Sequence, residues 1–146
     1  REYVITALGK IYDPKSVSTG RDAVADTEER VVLQALDALG NMHDTGSTAT
    51  VAKMMSSPSD NIKLMAARTL AALGDNGGLP VAKVFLNNTD QQKRIRSIEI
   101  IGLSGTREDI ALLKEVQTKD ANPYIQQQAK QSIGWINARL PEPKKQ

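Results

Sequence analysis

The sequence contains no cysteine, only one histidine, one tryptophan and one phenylalanine, and three tyrosines in 146 residues. Without cysteine there are no disulfides, no thiolate catalysis and no Cys-ligated zinc. With aromatics at 3% of the chain, any core must be aliphatic. No stretch reaches the roughly 18 apolar residues of a membrane-spanning helix, and no charged and apolar segments combine into a secretory leader. Neither sign of charge dominates: 19 basic against 17 acidic residues leave 19 − 17 = +2, far from the clustered positive face of a dedicated nucleic-acid binder. The chain opens on Arg1-Glu2-Tyr3-Val4-Ile5, without an initiator Met and already inside an apolar phrase. It therefore reads as a fragment of a longer chain. The missing leader favours the cytoplasm, with an extracytoplasmic location left open by that truncated start.

What is present is one phrase that returns. Ala7-Leu8-Gly9-Lys10-Ile11-Tyr12-Asp13 is followed by Ala38-Leu39-Gly40-Asn41-Met42-His43-Asp44 and by a looser copy, Leu70-Ala71-Ala72-Leu73-Gly74-Asp75. Ile101-Gly102 and Ile133-Gly134 keep the apolar-small pair and lose the aspartate. Leu8, Leu39, Leu70, Ile101 and Ile133 are spaced 31, 31, 31 and 32 apart, the self-similarity of a stacked repeat array. Apolar residues fall at helical spacing after each start, as in Val32/Ala35/Leu36/Leu39, Ile62/Ala66/Leu70/Leu73, Ile95/Ile98/Ile101 and Ile125/Ala129/Ile133/Ile136. Residues 2 to 11 are expected to form a helix ended by Asp13-Pro14. Asp26 with Glu29, the polar break Ser56-Ser57-Pro58-Ser59-Asp60, the box-like Thr89-Asp90-Gln91-Gln92 and Asn122-Pro123 read as helix caps. Second helices are expected over 15–26, 48–56 (Val51, Met54, Met55 inward), from Pro80 (Val81, Val84, Phe85 inward) and from Thr106 (Ile110, Leu113, Val116 inward).

The expected fold is thus all-α, about four and a half two-helix repeats with units near 1–26, 27–58, 59–89, 90–121 and 122–140. No unit can bury its apolar face alone, so neighbours must stack. Residues 141–146, Pro141-Glu142-Pro143-Lys144-Lys145-Gln146, cannot continue a helix and read as a carboxyl-terminal tail. Self-association through the apolar N-terminal repeat is expected if that repeat is an exposed end.

The segment Ile62-Lys63-Leu64-Met65-Ala66-Ala67-Arg68-Thr69-Leu70-Ala71-Ala72-Leu73-Gly74-Asp75-Asn76-Gly77-Gly78-Leu79-Pro80 resembles the short bacterial HEAT repeat of the phycobilisome-lyase type, roughly V-R-x-x-A-A-x-A-L-G-x-I-G-D-x-x-A-V-P. The other four units match in part. The resemblance implies a right-handed α-solenoid with the second helices on its inner, concave surface. It also implies pairing of an early basic residue (column Arg1, Val32, Lys63, Arg94, Gln126) with the turn acid of a neighbouring unit (column Asp13, Asp44, Asp75, Thr106, Ala138). Lys63 with Asp44 and Arg94 with Asp75 are the complete pairs.

Chemical motifs resolve into structural ones. Asp44-Thr45-Gly46-Ser47 spells the aspartic-protease string, but that chemistry needs two such loops sharing a proton, and this one falls in the turn column. His43 has no second histidine, while a metal site needs three or four ligands. Trp135 is placed to cover the last apolar layer, and Lys93-Arg94-Ile95-Arg96 reads as a solvated helix face.

No cofactor or catalytic set is expected. The candidate site is a column on the second helices, Lys53, Lys83 and Lys114 with Ser57, Asn87 and Thr118 one turn on, each lysine pointing outward. The function read from it is a non-enzymatic protein-interaction scaffold that binds an extended or acidic partner on the concave face. An accessory subunit of a bilin-lyase-type enzyme is the alternative that the resemblance implies, and a HEAT-like nucleic-acid binder is a further one that the low net charge disfavours.

Overall fold

The chain is described here from a computed structural model that places the backbone of residues 14–141 and the side chains of residues 17–141. The helix expected over residues 2 to 11, with the self-association face built on it, and the tail beyond Pro141 lie outside the described residues. The fold is all-helical over the described residues: α1 (Pro14–Ala23), α2 (Glu29–Asn41), α3 (Thr48–Lys53), α4 (Asp60–Ala72), α5 (Leu79–Phe85), α6 (Gln91–Ser104), α7 (Ile110–Lys119) and α8 (Pro123–Arg139). Short 3₁₀ turns precede α3 and α7 and follow α3. The long first helices α2, α4, α6 and α8 start at residues 29, 60, 91 and 123, so the 31, 31, 32 spacing of the sequence is the spacing of the helices.

Contacts divide the chain into two compact units, Arg1–Val81 and Ala82–Gln146. In the first, α2 packs between α1 and α4, and α4 packs against α3. Its core joins Val24, Val31, Val32, Ala35, Leu36, Leu39, Met42, Val51, Ala66 and Leu70, with Met54, Met55 and Met65 half-buried against it. In the second unit α8 packs against both α6 and α7, and Ile98, Ile100, Ile101, Leu113, Ile125, Ala129 and Ile136 are buried. Truncating any of the buried leucines or isoleucines among these to alanine would cost about 2–5 kcal/mol through lost transfer energy and a residual cavity.

The first helices begin as their caps dictate. Ser59 accepts the Ile62 amide, Asp90 the Gln92 amide and Asn122 the Tyr124 amide, each satisfying one orphan donor of a helix start. Asp26 departs from its expected box: the cap of α2 is Glu28 without a side-chain bond, and Asp26 Oδ1 takes the Glu28 amide instead. That bond belongs to a column the sequence reading missed. The residue two before each cap, Asp26, Ser57, Asn88 and Asp120, accepts the amide of the cap residue. These too are 31, 31 and 32 apart, side-chain turns that set up every first helix.

α2 and α4 end in the same way. His43 (φ 50°) and Gly74 (φ +81°) occupy the left-handed position, and the amides of Asp44 and Asp75 reach back to the carbonyls of Leu39 and Leu70, the Schellman closure. α6 ends with Gly105 extended and its last carbonyls, at Gly102, Leu103 and Gly105, receive the Arg139 guanidinium.

The register of α5 differs from expectation. Leu79, Ala82, Phe85 and Leu86 are buried while Val84 is 76% exposed, because i, i+3, i+6 and i+7 from Leu79 form the inward stripe and Val84 falls opposite it.

Candidate functional site

The buried positions of the second helices fix the alignment of the candidate column. Gly20, Val51, Ala82 and Leu113 are all buried and each is 31 residues from the next. The residue that follows each one is Arg21, Ala52, Lys83 and Lys114. Lys83 and Lys114 therefore share a column with Arg21, and Lys53 lies one residue, about 100°, further around its helix.

Two of the three column cations are already engaged. Arg21 on α1 makes a two-pronged ion pair with Asp44 in the turn after α2, Nε to Oδ2 at 2.8 Å and Nη2 to Oδ1 at 2.6 Å. Lys83 on α5 sets its Nζ 2.5 Å from Oδ1 of Asp109 in the turn after α6. In both pairs the carboxylate is the less exposed partner: Asp44 keeps 10% of its side chain exposed against 42% for Arg21, and the buried Asp109 4% against 43% for Lys83.

The Arg21 hydrogen bond is the main reason the Asp44 carboxyl is held below the usual range. For Asp109, burial pushes the carboxyl up, but the bonds from Lys83 and from the Thr106 amide outweigh it and the net shift is downward. Asp109 also accepts the Thr106 amide and hydroxyl in a capping box.

Thr106 occupies the position where earlier turns carry aspartate. The acid has moved three residues on, one helical turn, and makes the same type of contact. The remaining turn confirms the logic. Its column residue is Ala52, which offers no cation, and Asp75 instead accepts the Gly77 amide of its own turn at 2.7 Å.

These contacts replace the ion pairs expected from the resemblance. Lys63 meets Asp60 in its own first turn, 3.5 Å away. Glu29 at the start of α2 bonds Ser59 and Asn61 at the start of α4, so the two helices run parallel. Lys63 at one end is then separated from Asp44 at the other by most of a 13-residue helix, about 20 Å.

Arg94 is committed to Asp120 through Nε at 3.0 Å and to the carbonyls of Asn88 and Thr89. Gln126, its successor in the column, likewise reaches back six residues to the Asp120 carbonyl. The basic run is thus not simply a solvated face: Arg94 staples two loops, and Lys93 stands 5.7 Å over the Phe85 ring.

The other expected site residues separate in the same manner. Ser57 is spent on the Ser59 amide, and the Thr118 hydroxyl is spent on the Lys114 and Glu115 carbonyls. Lys53, Lys114 and Asn87 are exposed, and their side chains make no polar contact among the described residues.

Asn87 stands at the edge of a cleft of about 350 Å³ in the second unit, floored by Leu86, Leu112 and Val116 and flanked by the Arg94–Asp120 pair. Leu112 and Val84 are apolar residues that the second helices leave exposed. On α7, Leu112 lies about 200° from Lys114, so the cleft and that lysine occupy different flanks of one helix.

His43 serves the turn, its Nδ1 lying 3.2 Å from the Ala72 carbonyl. Trp135 lies over Gly102 of α6, close enough that a Cβ there would sit 2.8 Å from its ring. Among the described residues no group of three metal-ligating side chains is assembled, and no helix is long and apolar enough to cross a membrane.

The family model for HEAT repeats matches residues 48–134, more than half of the chain. The chain belongs to the HEAT-repeat family. HEAT repeats are in general protein-interaction scaffolds, and the all-helical, regularly spaced array described above is of the α-solenoid class. The fold is also similar to the crystal structure of an engineered protein from the Northeast Structural Genomics Consortium, with a TM-score of 0.63 at 20% identity over 92% of this chain and 67% of that one. No curated protein matches the sequence. Within the HEAT framework, α1, α3, α5 and α7 are the second helices, and Lys53, Asn87 and Lys114 stand on them or at their ends.

Proposed function

We propose that this HEAT-repeat chain is a non-enzymatic scaffold that binds an extended, acidic protein segment along its second helices, with Lys53, Lys114 and Asn87 as the contacts and Lys83 as a structural cation. The observation that carries the reading is the division of the lysines. Lys83 neutralises a buried carboxylate, whereas Lys53 and Lys114 are exposed and have no internal partner among the described residues. An exposed ammonium group keeps its hydration at little cost and gains attraction from an anionic chain. Asn87 adds a donor and an acceptor that suit a peptide bond.

The test is anisotropy of a labelled poly-glutamate chain titrated with wild type, Lys53→Gln/Lys114→Gln and Lys83→Gln. The double variant is expected to weaken binding and flatten its salt dependence while its urea unfolding stays unchanged. Lys83→Gln is expected to lose stability and to retain most of the salt dependence. Equal binding by the double variant and wild type at low salt, or equal binding of a DNA oligonucleotide, contradicts the reading.

A further inference from the structure

The turn between α4 and α5 reads Asp75-Asn76-Gly77-Gly78, and both Asn76 and Gly77 are exposed. Asn followed by Gly is the dipeptide most prone to spontaneous deamidation, since glycine lets the backbone reach the required geometry and puts no side chain in the way. The reaction begins when the Gly77 backbone nitrogen, having lost its proton, attacks Cγ of Asn76. The N–Cγ bond forms, the Cγ–Nδ2 bond breaks, and ammonia leaves with the proton. Water then opens the resulting five-membered imide at either carbonyl, giving aspartate or isoaspartate.

In this structure the attacking nitrogen is already occupied. Its N–H donates to Oδ1 of Asp75 at 2.7 Å, a charge-assisted bond. The anionic acceptor opposes loss of that proton, and the bond directs the nitrogen at Asp75 and away from the Asn76 side chain. The turn is anchored on both sides: the Asp75 amide bonds the Leu70 carbonyl at 2.9 Å, and the Leu79 amide bonds the Asn76 carbonyl at 3.0 Å. Gly78 follows so close to α4 that a Cβ on it would lie 2.5 Å from the Ala67 Cα. Isoaspartate at position 76 would add one methylene to the backbone between these anchors, where the chain has no slack.

We propose that Asn76 is a deamidation site and that the Asp75 carboxylate is its guard, free for that task because the column position that would otherwise claim it is Ala52. Peptide mapping by mass spectrometry during incubation in mildly alkaline buffer follows aspartate and isoaspartate at position 76. The expected result is slow conversion in wild type and conversion about tenfold or more faster in Asp75→Ala, the rate factor of losing one charge-assisted hydrogen bond. Asp75→Asn, which keeps a neutral acceptor in place, is expected to fall between the two. If circular dichroism shows Asp75→Ala to be unfolded, Asp75→Asn alone decides, and it must exceed wild type. Conversion in the folded variants that is no faster than in wild type overturns the proposal.

Discussion

In the first unit the turn acid Asp44 stands at the start of its 3₁₀ turn and grips Arg21 through two hydrogen bonds. In the second, Asp109 stands at the end of the corresponding turn and takes one bond from Lys83 together with the Thr106 amide and hydroxyl. The sequence position of the acid moved by three residues and the type of cation changed, yet α1 and α5 are each fastened to the next turn by a carboxylate less exposed than its cation. What is held constant between these two repeats is a contact, and two residue patterns satisfy it.

The helix-on-helix contacts differ as well. A Cβ added to Gly40 of α2 would stand 3.6 Å from Thr69 and Ala72, an ordinary contact, while a Cβ on Gly102 of α6 would meet Ser132 and Trp135 at 2.6–2.8 Å. The first unit holds all four methionines, Met42, Met54, Met55 and Met65, and fills its core with these adaptable side chains. The second relies on isoleucine and on glycine-permitted contact.

The largest effect that sharpens this comparison is steric. Gly102→Ala should cost about 1–3 kcal/mol, the range for overpacking a tight contact. Gly40→Ala should be neutral or stabilise by up to about 1 kcal/mol, because a helical glycine is replaced where there is room. Urea unfolding of the two variants checks both, and equal losses would mean that the two packings are alike.

The next effect is on acid stability. Asp44 and Asp109 both have folded carboxyls below the usual range. The stability they contribute is complete above the unfolded value of about 3.9 and is lost as pH falls through the lower folded values. In Lys83→Gln the bond that lowers Asp109 is gone and burial remains, so its carboxyl should rise and the acid transition should begin at higher pH. Arg21→Gln should have the corresponding effect through Asp44. Acid unfolding followed by circular dichroism reads these midpoints, and an unmoved midpoint in both variants would contradict the role given to the cations.

The smallest effect concerns the left-handed turn. Gly74 adopts it freely, whereas His43 pays for a side chain there and recovers part of that through the Ala72 carbonyl. His43→Gly should stabilise by less than about 1 kcal/mol, the residue of a left-handed cost of about 1–2 kcal/mol after the lost hydrogen bond is subtracted. A measurable loss in thermal unfolding would show that the imidazole contributes more than its backbone costs.

The repeat period, the helices it spaces and most of the caps were legible in the sequence, because each repeat solves the same burial problem with the same residue classes at the same offsets. Val32, Ala35, Leu36 and Leu39 could be placed inward from their spacing alone. The turn column Asp26, Ser57, Asn88 and Asp120 escaped notice because any side-chain oxygen serves there and the four are of three types. The lysine column was misaligned by one residue at Lys53, since a short helix gives few apolar positions to fix its phase, and only the burial of Val51, as of Ala82 and Leu113 at the same offset, sets it. The ion pairs expected from family resemblance were displaced because parallel first helices keep Lys63 a helix length from Asp44. The commitment of Lys83 to Asp109 had no local signal, since the two are 26 residues apart and Thr106 holds the place where aspartate was sought.

The central claim, that a second-helix cation is locked to the next turn's buried acid, is tested most directly by a double-mutant cycle on Lys83 and Asp109, using Lys83→Gln, Asp109→Asn and the double variant in urea unfolding. The account predicts that removing the lysine alone strands a buried carboxylate, so the two changes together cost less than the sum of each. With the half-exposed ammonium discounted for solvent, the coupling should still exceed about 0.5 kcal/mol. Losses that add to within about 0.3 kcal/mol would show Lys83 to be ordinary solvated surface, and the claim would fail.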